Sequence, residues 1–194
     1  MQSTGEVIGL HDDPRVALAK ALQGAALVPP RATGGPEDPP IALLSIADRD
    51  KAGLPRLARA LARASYRLAA TSGTRRALAA IGIEARLVAR IAEEPDMRAP
   101  DGTPAPDLLA LIHSGEVRLV INTPTPRSGA IRDAAEIRHA AVGEGILCLT
   151  AIETAIAAAE ALDPAVEDRV AEVRRLTEWV PASRAAHDRP LVSA

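Results

Sequence analysis

The sequence has almost no aromatic side chains. It contains no phenylalanine, one tryptophan and one tyrosine, which together make up 1% of its 194 residues. Proteins that bind single-stranded nucleic acid use aromatic rings as stacking platforms for the bases, so this composition disfavours that class. A formal charge of −2 at pH 7 and a pI near 6.1 also remove the positive field that DNA binding requires.

Cysteine and long apolar runs are equally scarce. Cys148 is the only cysteine, so it cannot form a disulfide within the chain, and the sequence predicts a reducing compartment. No run of about 18 apolar residues occurs, and Met1–Leu10 lacks the features of a signal peptide. We therefore expect a cytoplasmic protein without membrane contact. The histidines are scattered away from metal-ligand spacing, so no metal site is predicted.

The sequence does contain a regular alternation of short apolar runs and amphipathic helical patterns. The apolar runs predict five strands, at residues 41–47, 66–70, 84–88, 117–122 and 146–149. Helical spacing predicts the helices between and after them, at residues 54–63, 74–81, 107–113, 130–144 and 152–162. This alternation is typical of an α/β fold with a mainly parallel sheet and helices on both faces.

Proline and glycine divide the chain into unequal parts. Five prolines and two glycines between Pro29 and Pro40 predict a linker at residues 29–40. Residues 1–28, with a helix opening at Asp13-Pro14, are too few to form a domain and should pack loosely against the rest or stand away from it. The main domain is predicted at residues 41–162. One helix at 163–180, with Val166, Val170, Val173 and Thr177 on one face, and a disordered tail at 181–194 should follow.

Polar side chains follow several of the predicted strands. Thr71, Ser72, Gly73 and Thr74 form a turn at the start of a helix, where hydroxyls and unsatisfied N–H groups suit a phosphate. The carboxyl ends of parallel strands share one edge of a sheet, so this turn should lie near the other polar residues that end strands. Those residues are Lys51, Arg90, Asn122, Thr123 and, at a helix start, Asp133.

Each of these residues also has a simpler interpretation when taken alone. The turn can be an ordinary helix cap, Lys51 a surface lysine, Arg90 an arginine at a strand end, and Asp133 a complement to the helix dipole. Their convergence on one edge favours a small-molecule anion site. The sequence has no G-x-S-x-G, P-loop or G-x-G-x-x-G motif, and Cys148 on a buried strand is expected to be a core residue.

Several ordered segments resemble one known family. They are residues 1–9, 17–21, 43–45, 48–51, 70–74, 121–124 and 136–138. In this order they resemble the C-terminal end of the carbamoyl-phosphate synthase large subunit, whose regulatory domain has the methylglyoxal-synthase-like fold. The resemblance implies a three-layer sandwich at 41–162, with residues 1–28 as the tail of the second ATP-grasp half.

The resemblance implies an effector site without a catalytic residue, metal or cofactor of its own. A nucleoside monophosphate, UMP or IMP, would bind with its phosphate on six residues: Lys51, Thr71, Ser72, Gly73, Thr74 and Arg90. Asn122, Thr123 and Asp133 would face the ribose and base, and Thr150 would lie on the ornithine side. The family usually has Asn-Lys where this chain has Ala89-Arg90, and residues 92–106 form a longer loop than usual.

The implied function is allosteric regulation of carbamoyl phosphate supply for pyrimidine and arginine biosynthesis. The parent enzyme would be an ATP-dependent, glutamine-hydrolysing synthase, with the ATP-grasp body and the glutaminase small subunit as partners. Two alternatives stay open. One is a methylglyoxal-synthase-like lyase, which needs a carboxylate base and a rim histidine, although residues 123–131 contain no histidine. The other is a degenerate module that keeps only assembly contacts.

Overall fold

A parallel sheet of five strands lies at the centre of the described part of the chain. The computed structural model describes residues 7–25, 27, 39–90, 97–98, 102–124 and 128–179. The strands are β1 (Ile41–Ser45), β2 (Arg67–Thr71), β3 (Arg86–Val88), β4 (Val117–Asn122) and β5 (Leu147–Leu149), in the spatial order β3-β2-β1-β4-β5. Every pairing is parallel. The predicted strands and the α/β fold class are confirmed.

Helices cover both faces of this sheet. They are α1 (Pro14–Gly24), a 3-10 helix (Asp48–Gly53), α2 (Leu54–Arg63), α3 (Ser72–Ala79), α4 (Leu108–His113), α5 (Ser128–Gly143), α6 (Ile152–Ala161), α7 (Pro164–Val170) and α8 (Leu176–Trp179). Among these described helices, none is long and apolar enough to cross a lipid bilayer. Most of the predicted linker and the whole tail at 181–194 lie outside the described residues.

β1 separates two apolar clusters, one on each face of the sheet. Side chains alternate along a strand, so Ala42 and Leu44 pack in the cluster that includes helices α2 and α6. Ile41 and Leu43 pack in the opposite cluster, which includes helices α4 and α5. With almost no aromatic residues, leucine, isoleucine, valine and alanine fill both layers.

The 3-10 helix approaches α6 closely, and a glycine makes this possible. A Cβ atom on Gly53 would lie 2.7 Å from Ile152 Cγ1 and 3.3 Å from Ile156 Cδ1, and the first of these distances is too short for a real Cβ contact. The 3-10 helix therefore rests directly on the first turns of α6. This contact fixes the segment that carries Lys51 relative to the core.

The prediction of a single helix at residues 163–180 is wrong. The chain leaves helical geometry after Val170 and forms the separate short helix α8, and Val173 is 91% exposed instead of lying on a buried stripe. The break coincides with polar contacts to the N-terminal segment. Glu172 lies 3.1 Å from the His11 ring nitrogen, and Arg174 donates to Asp12 at 3.0 Å. These contacts hold residues 172–174 in a non-helical course that the apolar spacing did not predict.

The expectation that residues 1–28 pack loosely is also wrong for the described residues. Helix α1 packs against α6 and α7, and Val16 is fully buried. Asp13 caps α1 by accepting from the N–H of Arg15. Gly9 lies so close to the backbone of α1 that a Cβ atom would overlap the Ala17 carbonyl oxygen. The described residues of the N-terminal segment are thus part of the packed structure but not of the sheet.

A polar network, here called the terminal clasp, joins the two ends of the described chain. It consists of His11, Asp13, Arg169, Glu172 and Trp179. Arg169 donates to Asp13 at 3.0 Å and to Glu172 at 3.2 Å, and the His11 ring lies 5.2 Å from the Trp179 ring. The clasp explains why the described part of the N-terminal segment is held although it contributes no strand.

We expect acidification to open the terminal clasp before it unfolds the sheet. The pKa of Glu172 is lowered by hydrogen bonds from His11 and Arg169, and that of Asp13 chiefly by its hydrogen bonds from Arg15. A carboxyl whose pKa is lower in the folded protein than in the unfolded chain stabilises the clasp at pH values above its ordinary pKa of about 4. This stabilisation is lost as the pH falls through the pKa of the folded protein.

The measurement is the fluorescence of Trp179, the sole tryptophan, followed from neutral pH to about pH 2. A fluorescence change that precedes the loss of far-UV circular dichroism is the expected result. Coincident transitions in the two signals would contradict an independently opening clasp.

Candidate functional site

The sheet order creates a crevice beside β1. The chain runs from β1 to β2 and β3 on one side and then crosses to β4 on the other, so the switch point lies between β1 and β4. In open α/β sheets, ligands bind outside the carboxyl ends of the strands at such a point. A cavity of about 430 Å³, counting space open to solvent, lies there. It is lined by residues Ser45, Ile46, Ala47, Arg90, Leu108, Asn122, Thr123, Pro124, Asp133, Ala134 and Ile137.

Two threonine hydroxyls hold the segment that leaves β1. The N–H of Ile46 donates to Thr74 Oγ1 at 2.9 Å, and the N–H of Ala47 donates to Thr123 Oγ1 at 2.7 Å. Thr74 stands on the β2 side of β1 and Thr123 on the β4 side. The segment 46–47 is therefore tied from both sides, and it lies between the start of α3 and the cavity.

Lys51 lies over the start of α3. Its Nζ atom is 3.5 Å from the place where a Cβ atom on Gly73 would be. Apart from the adjacent residues and the backbone of α3, no other atom of the described residues lies within 4 Å of that place. Thr71, the residue before α3, makes no side-chain capping hydrogen bond. An ammonium group thus faces a helix N-terminus whose first N–H groups lack a side-chain cap, which is a suitable environment for an anion.

The hydroxyls of Thr71 and Thr74 point into the protein. Both residues are buried, at 0% and 1% exposure, and Thr71 Oγ1 lies 3.4 Å from Thr74 Oγ1. Ser72 and Gly73 are half-buried and form the outer surface of the turn. An approaching anion would therefore meet Gly73 and Ser72 before it meets either threonine hydroxyl.

Arg90, Asn122, Thr123 and Asp133 come together around the cavity. Asn122 is only 4% exposed, and its Nδ2 atom has no hydrogen-bond partner among the described residues. Leaving a buried donor unsatisfied is costly, so this amide is suited to a ligand that presents an acceptor. The cavity offers the amide of Asn122 as a donor, the carboxylate of Asp133 as an acceptor and the guanidinium of Arg90 as a charge.

The structure divides the predicted site into two halves. Ser72 and Gly73 begin α3 with Lys51 lying over Gly73, whereas Arg90 lines the switch-point cavity. Thr150 is exposed after β5 and does not line the cavity. The roles predicted for these residues toward a ligand stay predictions.

Two residues that the sequence reasoning missed stand beside Lys51. Asp48 forms an ion pair with Lys51 at 2.6 Å, and Arg49 donates to the Pro124 carbonyl at 2.8 Å, which links the 3-10 helix to the rim of the cavity. The alternating charges of the Asp-Arg-Asp-Lys run at 48–51 were the available signal. Runs of alternating charge are common on protein surfaces, so this run alone does not mark Asp48 or Arg49 as site residues.

The described cavity lining includes one carboxylate, Asp133, and no histidine. His113 pairs with Glu144 where helices α4 and α5 end, and His11 belongs to the terminal clasp. Burial raises the pKa of the Cys148 thiol, which disfavours a nucleophilic thiolate. In the part of the chain that the structure describes, no group of three side chains could hold a metal ion.

Comparisons with known proteins agree on the family to which this chain is similar. A model of the MGS-like domain family matches residues 53–150, about half of the chain. The carbamoyl phosphate synthase large chain of Thermomicrobium roseum is 43% identical over 163 residues, covering 84% of this chain and 14% of the relative. The large chain of Streptomyces coelicolor is 37% identical over 188 residues, covering 97% of this chain and 16% of the relative.

This chain thus spans less than one-fifth of the length of the curated relatives that it matches. The similarity to them extends beyond the MGS-like region on both sides, because it covers most of the chain. This chain therefore belongs to the MGS-like domain family, and most of its length is similar to part of the large chain of carbamoyl phosphate synthase.

Proposed function

We propose that this chain is the effector-binding regulatory region of a carbamoyl phosphate synthase large chain, and that it binds a nucleoside monophosphate such as UMP or IMP. The observation that carries the proposal is the position of Lys51 over Gly73 at the start of α3, next to the switch-point cavity. A phosphate at Gly73 would contact one ammonium group and the N-terminal N–H groups of a helix.

The adjacent cavity supports a nucleoside as the rest of the ligand. The unpartnered Nδ2 donor of Asn122 and the carboxylate of Asp133 match the acceptors and hydroxyl donors of a ribose and a base. Arg90 would add a second positive charge on the phosphate from the cavity side. Arginine keeps the charge of the family's usual lysine but presents a planar fork instead of an ammonium group.

Exposed apolar side chains in the N-terminal segment support the proposal that this chain is part of a larger polypeptide. Val7, Ile8 and Leu10 are between 40% and 85% exposed, which is a concentration of apolar surface next to α1. We propose that this surface faces the ATP-grasp body of the large chain and that residues 1–28 end the second ATP-grasp half. The glutaminase small subunit would be reached only through that body.

The parent enzyme's chemistry is proposed on the similarity alone. It would be an ATP-dependent, glutamine-hydrolysing ligase that supplies carbamoyl phosphate to pyrimidine and arginine biosynthesis. This chain would regulate that activity and carry no catalytic residue, cofactor or metal. Thr150, exposed after β5, would lie on the side where ornithine acts.

Calorimetric titration of the chain with UMP and with IMP tests the proposed function. Saturable binding of at least one nucleotide, weakened by added salt, is the expected result because the contacts are charge-assisted and partly exposed. The matched control is Arg118→Ala, since Arg118 is an exposed cation near the amino end of β4, at the opposite edge of the sheet. A folded chain that binds neither nucleotide would favour the degenerate-module alternative.

The variant Gly73→Ala should separate stability from binding. The new methyl group would lie 3.5 Å from Lys51 Nζ, an ordinary contact distance, so the fold should accept it. Replacing glycine by alanine in a helix stabilises by about 0.5–1 kcal/mol, so the melting temperature should rise slightly. The same methyl group would stand where a phosphate must approach the helix N–H groups. Thermal unfolding and UMP titration check both halves, and unchanged affinity would place the phosphate elsewhere.

A further inference from the structure

The ion pair between Lys51 and Asp48 differs from the ion pairs that join separate elements. Arg56 pairs with Glu160 and Arg63 with Asp163, so α2 is attached to the end of α6 and the residue that caps α7. Lys51 and Asp48 are three residues apart in one 3-10 helix, at 2.6 Å. This pair joins no two elements of the fold, and packing does not explain it.

The position of Asp48 suggests what the pair does. The side chain of Asp48 is 93% exposed, whereas that of Lys51 is 26% exposed and lies over Gly73. The carboxylate is therefore an anion on the solvent side of an ammonium that faces a helix N-terminus. It engages the same cation that a phosphate at Gly73 would engage.

We propose that Asp48 is an intramolecular competitor that an effector phosphate must displace from Lys51, and that this contact lowers the affinity of the site. The inference rests on the proposed function. Exposed ion pairs are weak, and phosphate bonds to an ammonium are stronger, so the exchange can proceed without unfolding any element. Without a phosphate, Asp48 keeps the ammonium of Lys51 over Gly73. When a phosphate binds, the carboxylate of Asp48 opposes binding in two ways: it repels the phosphate, and its ion pair with Lys51 must be broken.

The test is the variant Asp48→Asn, compared with wild type by calorimetric titration with UMP and with uridine. UMP should bind about 3-fold to 10-fold more tightly to the variant at low salt, and the gain should shrink as salt is added. Uridine has no phosphate to compete for Lys51, so its affinity should not change. The matched control is Asp50→Asn, which also removes one negative charge from the 3-10 helix. Asp50 pairs with Arg49 and not with Lys51, so this variant should change UMP affinity much less.

The outcomes distinguish this inference from the proposed function. If wild type binds UMP and a folded Asp48→Asn variant binds it equally well or more weakly, the inference is overturned and the proposed function is left intact. An equal gain with Asp50→Asn would also overturn it, because a general change of charge would then suffice. If neither wild type nor Asp48→Asn binds UMP or IMP, both proposals fail.

Discussion

Replacing Lys51 with alanine should weaken UMP binding about 10-fold to 100-fold, because a charge-assisted phosphate contact is worth about 1.5–3 kcal/mol. Lys51 is the cation positioned over Gly73 at the start of α3, and its side chain is three-quarters buried. Its partner Asp48 is highly exposed and such ion pairs contribute little, so the stability of the fold should change little. Calorimetry at low and high salt measures the effect, and the loss should shrink as the ionic strength rises.

Two controls make the Lys51 result interpretable. Arg118→Ala removes a positive charge from the other edge of the sheet and should leave UMP affinity within about 2-fold of wild type. Lys51→Arg keeps the charge but changes its geometry, so it should retain part of the affinity. Equal affinity of wild type and Lys51→Ala would rule out a phosphate site at this lysine.

Thr74→Val and Thr123→Val should each lower the free energy of unfolding by about 1–3 kcal/mol, the cost of leaving a buried donor without an acceptor. The donors are the N–H groups of Ile46 and Ala47, which bond to the two hydroxyls at 2.9 and 2.7 Å. Ile46 and Ala47 are themselves buried, so water cannot easily replace the lost acceptor. Urea unfolding measures the effect.

The matched control for the threonine variants is Thr154→Val. Thr154 is exposed on α6, and this substitution should change the unfolding free energy by less than about 0.5 kcal/mol. If Thr74→Val and Thr123→Val are as mild as Thr154→Val, the two hydroxyls do not hold the segment that leaves β1. Either variant should also weaken UMP binding, since segment 46–47 separates the two halves of the site.

The central fold was predictable because its signals are local and periodic. The apolar residues of β1 and β4 are buried, as expected for strands covered on both faces, and Asp-Pro pairs mark the starts of α1 and α7. The helix at 163–180 was predicted wrongly because Val173 continues the apolar spacing. Its actual course depends on pairing of Glu172 and Arg174 with residues more than 150 positions away, which no local pattern reveals.

The candidate site was predictable as a set of residues at one edge of the sheet but not as a geometry. Strand order decides which strand ends become neighbours, and it places β4 beside β1, so that Asn122 lies next to Ser45. Arg90 follows the edge strand β3 and still lines the same cavity as Asn122, which no local sequence pattern reveals. No local pattern indicates that the hydroxyls of Thr74 and Thr123 point inward. That outcome depends on which backbone N–H groups near β1 lack another acceptor.

A crystal structure of the chain with bound UMP tests the central claim most directly. The account predicts the phosphate between Lys51 Nζ and the N–H groups of Ser72 and Gly73, with the nucleoside in the cavity against Asn122 and Asp133. Lys51 should have exchanged Asp48 for a phosphate oxygen. A phosphate bound away from Gly73, or a nucleoside outside the crevice between β1 and β4, would contradict the account.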